Sequence, residues 1–345
     1  MSSVFDQWHW QPPARFQRIT TVKMHTGGEP LHIFTSGLPE LPGDSALGKR
    51  RCFRDHFDQL RTATMWEPRG HADMYGAVIT PSRDADLDVF FLHEEGFSTM
   101  CGHAVIAIIT LAFETALITR SGERRELTLN VPAGRIHAIA HMDGDRVKHV
   151  SFRNVPSFVY RRDEHLEVPG VGRVRFDITY GGAFYAIVEA APLELTLAPH
   201  EFNRLIDLGR RIKHAVMAEV PIEHPFESDL GFLYGTIFTG PAHDSNHHSR
   251  NVCIFADGEV DRSATGSGVS ARAALQYARG ELALGAPITI ESILGSTMSV
   301  RVAQTIQFGS HAAIVPEVSG TAHIIGRNEL YLDPTDPLGG GFNFR

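Results

Sequence analysis

The chain has 345 residues, 43% of them hydrophobic, and a formal net charge of −8 at pH 7. This length exceeds one ordinary hydrophobic core and predicts two domains. The negative net charge argues against nucleic acid as a partner and leaves small acidic or zwitterionic ligands.

The cysteines and the N-terminal sequence bear on cellular location. Cys52, Cys101 and Cys253 form no C-x-x-C motif and no secreted-framework spacing, which predicts reduced intracellular thiols. Residues 1–10 lack a basic start followed by an apolar run, and no charge-free apolar run of about 18 residues occurs elsewhere. We therefore expect a cytoplasmic protein with no membrane partner.

The first half of the chain contains a strand, a helix and two more strands. The apolar pattern predicts the strand at residues 87–93 and the helix from about residue 102 to residue 117. Apolar residues surround this helix on all sides, which is typical of a buried central helix. Strands at 127–131 and 135–140 follow, separated by a Pro-Ala-Gly turn.

The second half repeats this order of elements. Its predicted elements are a strand at 251–255, a turn at 257–258, a helix at 266–279 stopped by Gly280, and strands at 288–290 and 298–302. The duplication predicts two similar α/β halves, each presenting one helix N-terminus. It is a weak repeat rather than a short-period solenoid.

The boundary between the halves is predicted near residue 165. A charged run at residues 161–165 suits a surface crossover between them. The N-terminal domain is then 1–165 and the C-terminal domain 166–324. The turn-rich tail, 325–345, is expected to return to the N-terminal half.

Cys101 is the strongest catalytic candidate. It immediately precedes the first central helix, where unpaired backbone N–H groups and the helix dipole can lower a thiol pKa and produce a thiolate base. Gly102 and Gly266 allow both helix N-termini to approach a ligand and hold one carboxylate between them. The alternative is a buried structural thiol, and we keep that interpretation for Cys52 and Cys253.

Two other motifs are weaker candidates. The turn Gly266-Ser267-Gly268 could suggest a phosphate loop, but the sequence contains no G-K-[ST] and no G-x-G-x-x-G after the first strand. Residues 243–248, HDSNHH, lack the spacing of a known zinc set. A solvated loop is the favoured interpretation, and no metal site is predicted.

Several segments together resemble the proline racemase family, which includes hydroxyproline epimerases and dehydratases. The resemblance covers most of the chain and rests on motifs in family order: MHTGGEP (24–30), EPRGHADMYG (67–76), MCGH (100–103), YGGAFYA (180–186), and DRS with the following glycine (261–266). It implies the diaminopimelate-epimerase-like fold. In that α/β (α+β) fold, two pseudo-symmetric domains each wrap a mostly antiparallel sheet round a central helix, with the active site in the cleft between them.

The resemblance also implies roles for individual residues. Cys101 and Thr265 would flank the substrate α-carbon from opposite sides. The remaining implied contacts are the backbone of Gly102, His103, Gly266 and Ser267 on the carboxylate, and the side chains of His103 and Asp261 on the ring nitrogen. No metal or organic cofactor is implied, and a homodimer is compatible with the resemblance.

This sequence departs from the racemase pattern at Thr265, which stands where a second cysteine is usual. Ala264, Ser267, Val269 and Lys23 are further departures; for Ala264 and Lys23 we have no chemical interpretation. Inversion of a stereocentre needs an acid and a base of matched pKa on opposite faces, and a threonine hydroxyl is too weak for either role. Free racemisation is therefore disfavoured.

Deprotonation by Cys101 alone is sufficient for another reaction. In trans-3-hydroxy-L-proline the 3-hydroxyl and the α-hydrogen lie on the same face of the ring, so one thiol can serve a syn elimination of water. The enamine product would tautomerise to Δ1-pyrroline-2-carboxylate. The sequence thus predicts a hydro-lyase acting on a hydroxyproline.

Alternatives remain open at this stage. Within the same fold, a hydroxyproline 2-epimerase or proline racemase could use water in place of the second thiol, and a non-catalytic amino-acid-binding protein is the alternative from another class. Thr265 could be an ordinary helix N-cap. Asp261 could be a turn residue and His103 a core hydrogen-bonding group.

Overall fold

The computed structural model describes residues 8–119 and 124–344, so residues 1–7 of the N-terminal segment considered above lie outside the described residues. The helices in these ranges are α1 (Ala46–Met65), α2 (Gly102–Glu114), α3 (Phe202–Glu219) and α4 (Gly266–Ala278). The strands are β1 (Gln17–Thr26), β2 (Glu29–Ser36), β3 (Tyr75–Thr80), β4 (Leu87–His93), β5 (Arg124–Val131), β6 (Gly134–Asp143), β7 (Arg146–Arg153), β8 (Ser157–Val168), β9 (Gly172–Tyr180), β10 (Phe184–Glu189), β11 (Leu233–Gly240), β12 (Ser249–Phe255), β13 (Glu259–Val260), β14 (Pro287–Glu291), β15 (Thr297–Phe308), β16 (His311–Gly320) and β17 (Ala322–Leu332). None of the helices within these two ranges is long and apolar enough to span a bilayer.

The strands form two sets of eight with the same pairing pattern. The N-terminal set has the order β17-β1-β2-β3-β4-β5-β6-β7. The C-terminal set has the order β8-β9-β10-β11-β12-β14-β15-β16. In each set the third and fourth strands, and the fifth and sixth, are parallel, while all other neighbours are antiparallel. The predicted pair of pseudo-symmetric, mostly antiparallel halves is confirmed.

The last strands of the chain connect the two sets at their edges. β17 pairs with β1, so the end of the chain completes the N-terminal set. β16 pairs with both β7 and β8 and joins the sets. The charged run at residues 161–165 forms the middle of β8 rather than the expected crossover. An edge strand can hold these charged residues, since most of their side chains are exposed to solvent there. The domain boundary at residue 165 stays a prediction, and that residue lies within β8.

α2 occupies the interior of the N-terminal set. Residues 102–113 are all buried, as the apolar sequence predicts, and the helix packs against β1, β6, β7 and β17. It ends at Glu114, short of the predicted end at residue 117. Ala116 adopts a left-handed φ of 55° there, which breaks the helix and leaves Leu117 exposed.

α4 takes the corresponding place in the C-terminal set. It is buried from Gly266 to Gln276 and packs against β8, β9, β15 and β16. Its small side chains let the strands approach closely. Buried Arg272 donates to Ser249 Oγ at 2.9 Å and to Asn251 Oδ1 at 2.7 Å, which satisfies part of the guanidinium. Gly280 has a φ of 74° and follows the helix as predicted.

The sequence analysis does not predict α1 and α3. α3 buries only one stripe of side chains, including Leu205, Ile212 and Val216, and this stripe packs against β11 and β12. α1 packs against β4. Neither helix contributes a residue to the site described next.

Candidate active site

The N-termini of α2 and α4 meet where the two halves face each other. A Cβ added to Gly102 would lie 2.6 Å from Gly266 Cα, and one added to Gly266 would lie 2.6 Å from Gly102 Cα. Real Cβ atoms do not approach other atoms this closely, so only glycine fits at both positions. The backbone N–H groups of two helix starts therefore point towards one small region.

A cavity of about 20 Å³ lies beside this contact. Its lining contains every site residue predicted from the sequence: Cys101, Gly102, His103, Asp261, Thr265, Gly266 and Ser267. The other lining residues are Met100 and an aromatic wall of Tyr75, Tyr185, Tyr234 and Phe255. The volume suits about one water molecule. An amino acid requires the two halves to separate before it can bind.

Larger surface depressions lie elsewhere. One, of about 1000 Å³, runs over β5, β6, β7, β15 and β16, and another, of about 760 Å³, lies beside residues 34–42. None of the predicted site residues lines either depression. The small closed cavity therefore contains the chemistry, although it is not the largest concave feature.

Cys101 is the N-cap residue of α2 and only 4% exposed. The backbone N–H of Ala104 donates to its Sγ at 3.4 Å. Burial nevertheless raises the pKa of the Cys101 thiol well above its ordinary value, and the carboxylates of Asp261 and Glu29 act in the same direction. The expected lowering of this pKa is wrong for the closed protein, because loss of hydration outweighs the helix N-terminus.

His103 lies directly beside the thiol. The distance from Cys101 Sγ to His103 Nδ1 is 3.1 Å. Burial lowers the pKa of His103 to about 3, so the ring is neutral and can accept a hydrogen bond from the thiol. The hydroxyl of Thr26 donates to the His103 carbonyl at 2.8 Å and fixes the first turn of α2. The contact of His103 with a substrate nitrogen stays a prediction.

Thr265 precedes α4 on the other side of the cavity. Its φ of 67° and ψ of 92° are unusual for a β-branched residue, and its side chain accepts no helix N–H. The ordinary N-cap explanation is therefore wrong. The buried Thr265 hydroxyl completes no hydrogen bond within the described part of the chain, although it lies near enough to Asp261 and Cys253 to oppose the rise in their pKa values.

Asp261 combines the turn role and a place in the cavity wall. Its Oδ1 accepts from the backbone N–H of Ser263 at 2.7 Å, as in a turn. Burial raises the pKa of Asp261 to about 6 against the opposing effect of the Ser263 hydrogen bonds. A positively charged ligand nitrogen beside this carboxyl would favour its ionised form.

The loop that presents Asp261 is held by two of the motifs quoted above. Glu29 Oε2 accepts from the backbone N–H of Arg262 at 2.7 Å. Asp73 accepts from the Arg262 guanidinium at 2.9 Å and from the backbone of Val260 at 3.1 Å. The motifs at 24–30 and 67–76 thus join the N-terminal half to the loop of the C-terminal half. Nothing in the structure explains Lys23 or Ala264.

Two residues place the remaining polar groups of the α4 start. Ser267 Oγ lies 2.7 Å from the hydroxyl of Tyr185, which fixes both side chains.

Four aromatic residues of the cavity lining, Tyr75, Tyr185, Tyr234 and Phe255, were not predicted from the sequence as site residues. Tyr75 and Tyr185 stand within the quoted motifs, and Tyr234 and Phe255 had no local signal.

The histidine-rich segment at 243–248 forms a mostly exposed loop anchored on Glu291. Glu291 accepts from the backbone N–H groups of His243 and Asp244 at 2.9 and 2.8 Å and lies 3.0 Å from His247 Nδ1. Across residues 8–119 and 124–344, no group of three His, Cys, Asp or Glu side chains is arranged to hold a metal. Cys253 is fully buried in β12, and Cys52 is half-buried in α1.

Comparison with known proteins agrees with this geometry. The profile of the Proline racemase family matches residues 21–343. The chain is 49% identical to the trans-3-hydroxy-L-proline dehydratase of Colwellia psychrerythraea over 99% of this chain and 97% of that protein. It is 44% identical to the 3-hydroxyproline 2-epimerase of Burkholderia multivorans over 95% of this chain and 98% of that protein.

A solved structure is similar throughout. The crystal structure of a hydroxyproline epimerase from Agrobacterium vitis, with bound trans-4-hydroxy-L-proline, superposes with a TM-score of 0.91 and 28% identity, covering 96% of both chains. The chain therefore falls in a class of proteins built from two strand-wrapped halves with a cleft between paired helix starts. The chain belongs to the proline racemase family.

Proposed function

We propose that the protein is a trans-3-hydroxy-L-proline dehydratase that yields Δ1-pyrroline-2-carboxylate and water. One observation carries the proposal: Cys101, the one cysteine in the cavity lining, and Thr265 stand at the two helix starts that meet at Gly102 and Gly266. The relative from Colwellia psychrerythraea, at 49% identity, has this name. The activity is that of a hydro-lyase.

Substrate binding would use the two helix starts and Asp261. The backbone N–H groups at Gly102, His103, Gly266 and Ser267 are suited to the carboxylate, because helix N-termini favour an anion. Asp261 is suited to the positively charged ring nitrogen. That positive charge also offsets the carboxylates that disfavour a Cys101 thiolate.

The elimination needs only proton transfers. The open site hydrates the Cys101 thiol, which gives its proton to water, and the thiolate removes the α-proton of the bound substrate. The Cα=C3 bond forms as the C3–O bond breaks, and the departing hydroxide takes the α-proton from the Cys101 thiol and leaves as water. The thiolate is then restored, with His103 Nδ1 at 3.1 Å from its sulfur, and the enamine tautomerises to the cyclic imine after release.

Thr265 would shape the opposite face rather than exchange protons. Its aliphatic hydroxyl cannot act as the matched acid that inversion requires. Its unpaired Oγ1 is available to hydrogen-bond to the ligand or to a water.

A hydroxyproline 2-epimerase is the second candidate. It is favoured by the 44% identity to the 3-hydroxyproline 2-epimerase of Burkholderia multivorans. Such an enzyme would need a proton donor on the Thr265 side, and a water held by Thr265 is the group this structure would allow.

The deciding experiment is incubation with trans-3-hydroxy-L-proline, its cis isomer, trans-4-hydroxy-L-proline and L-proline in deuterated water, followed by NMR. The dehydratase converts the trans-3 isomer to the cyclic imine. An epimer labelled at Cα, without imine, would replace the proposal by the epimerase. Ligand-induced stabilisation with no product from any of the four would indicate a non-catalytic binding protein.

We further propose that the protein acts in the cytoplasm, without a metal or organic cofactor, as a homodimer. The three unpaired cysteines agree with a reducing compartment. The elimination balances with Cys101 alone, which removes the α-proton and returns it to the departing hydroxide. Dialysis against a chelator should leave turnover unchanged, and light scattering during size-exclusion chromatography should give twice the mass of the chain.

A further inference from the structure

The hydroxyl of Tyr234 is a buried polar group without a completed hydrogen bond. Tyr234 is 6% exposed and lines the cavity, and its hydroxyl has no hydrogen-bond partner among the groups the structure describes. Its polar neighbour among these groups is the Tyr75 hydroxyl, which interacts with both Tyr234 and Ser98; a ligand oxygen entering the cavity would compete with Tyr75 for the Tyr234 proton. Leaving such a group unpaired in a site without water is unfavourable, so a ligand group is its natural partner.

The ring of Tyr234 is held in place by its neighbours. It stacks on Phe255 with centroids 5.3 Å apart and meets the edges of His93 at 5.7 Å and Tyr185 at 5.9 Å. His93 is in turn fixed by Glu259 at 3.1 Å, and both are buried. The direction of the hydroxyl is therefore preset rather than adjustable.

Its position is on the Cys101 side of the cavity. Tyr75, beside Tyr234, contacts the His103 ring edge-on at 4.9 Å, and His103 contacts Cys101. The substrate carboxylate, nitrogen and α-hydrogen are assigned above to the helix starts, to Asp261 and to Cys101. The aromatic wall is the part of the cavity lining that is left to contact C3 of the substrate and its hydroxyl.

We infer that the Tyr234 hydroxyl donates a hydrogen bond to the 3-hydroxyl oxygen of the substrate and makes Tyr234 the residue that selects 3-hydroxylated prolines. The inference rests on the proposed function. Thr265 has the other unpaired hydroxyl of the cavity, but it belongs to the face opposite the trans 3-hydroxyl. The bond also stabilises charge that develops on the departing oxygen, so it contributes to kcat as well as to recognition.

The test compares Tyr234→Phe with Tyr185→Phe, using trans-3-hydroxy-L-proline as substrate and L-proline as a competitive inhibitor. Tyr234→Phe should lower kcat/KM by about 10-fold or more, part of it in kcat, while the Ki of L-proline changes less than about 2-fold. Tyr185→Phe is the matched control: its hydroxyl is already bound to Ser267 at the carboxylate site, so it should affect both ligands alike.

Equal losses for both ligands in Tyr234→Phe, or unchanged kinetics, would overturn the inference. If the wild-type protein gives no imine, the proposed function fails, and calorimetric Kd values of both ligands still test Tyr234: the preference for the hydroxylated ligand must disappear in the variant. Should the variant not fold, wild-type protein must bind trans-3-hydroxy-L-proline more tightly than both the cis isomer and L-proline. Equal affinities would refute the selection.

Discussion

At the scale of single residues, burial decides the chemistry of the site more than sequence neighbours do. Cys101 lies at a helix N-terminus, yet burial keeps its thiol protonated in the closed protein. His103 Nδ1 lies 3.1 Å from the Cys101 sulfur. The site is therefore a thiol–imidazole pair on one face and a hydroxyl on the other, which suits elimination better than inversion.

Cys101→Ser should abolish turnover while the fold persists. A serine hydroxyl can replace the N-cap contact with Ala104 but is a far weaker acid, so kcat should fall by about 10³-fold or more. Stability should change by less than about 1 kcal/mol. Imine formation and urea denaturation measure the two effects, and retained turnover would remove Cys101 from the role of base.

Thr265→Cys should introduce proton exchange from the second face. A thiol there supplies the matched acid that inversion requires, so the variant should release some α-epimer labelled with solvent deuterium. Thr265→Ser is the control, because it keeps a hydroxyl. A variant that folds and binds L-proline but never forms the epimer would contradict the two-face arrangement.

The pH dependence should report Asp261. Burial in the closed protein raises the pKa of Asp261 to about 6. If its ionised carboxylate binds the ring nitrogen, as we propose, kcat/KM should rise as pH increases through about 6. Asp261→Asn should remove this limb and most of the activity. A profile without an inflection in that region would exclude Asp261 as the nitrogen-binding group.

The same group affects stability in the opposite direction. The folded pKa of Asp261 is raised above the ordinary 3.8, so the folded protein favours the protonated carboxyl. The stabilisation is complete below pH 3.8 and is lost as pH rises through about 6. Urea denaturation of the wild type and Asp261→Asn across this range isolates the contribution from the other titrating groups.

At the scale of elements, the contact between α2 and α4 builds the proposed carboxylate site. It depends on two glycines whose Cα atoms leave no room for a side chain. The strands then carry the surrounding groups: β11 brings Tyr234, β10 brings Tyr185 and β3 brings Tyr75. A small displacement of either helix start changes every distance in the cavity.

Gly102→Ala should lower activity by preventing closure. The new Cβ would lie 2.6 Å from Gly266 Cα, so the helix starts must move apart. Their backbone N–H groups then no longer point towards the same small region. We expect kcat/KM to fall by about 100-fold or more. Gly326→Ala in β17, where a Cβ meets nothing within 4 Å, is the control. Near-normal turnover in Gly102→Ala would show that the close contact is dispensable.

At the scale of the whole molecule, the two halves enclose the site so tightly that opening must precede binding. The cavity of about 20 Å³ is far smaller than an amino acid. The loop that presents Asp261 is tied to the other half through Arg262 and Asp73 at 2.9 Å, and this ion pair is one that opening would strain. Access to Cys101 is thus a property of the pair of halves.

Alkylation measures this opening directly. Cys101 should react with iodoacetamide in the free protein, because the open form rehydrates the thiol, and L-proline should protect it. Peptide mass spectrometry distinguishes it from half-buried Cys52, whose rate L-proline should not change, and from Cys253 inside β12. A Cys101 that is as unreactive as Cys253 in free protein would contradict opening.

The sequence by itself determined the duplication, the two central helices and seven of the twelve residues that line the cavity. These follow from local patterns: an all-apolar helix, a glycine at each helix start, and motifs that stand next to them. Cys101, Thr265 and Asp261 could be selected in this way because each adjoins a predicted turn or helix start.

Only the tertiary structure decided the state of those residues. The protonated thiol, the left-handed Thr265 and the unpaired hydroxyl of Tyr234 result from packing between segments far apart in sequence, and burial is a sum over all of them. The pairing of β17 with β1 and the contact of Gly102 with Gly266 are of the same kind. The local sequence pattern predicts one thiol and one hydroxyl at two helix starts. Whether these two groups lie on opposite sides of one cavity depends on how the two halves pack together.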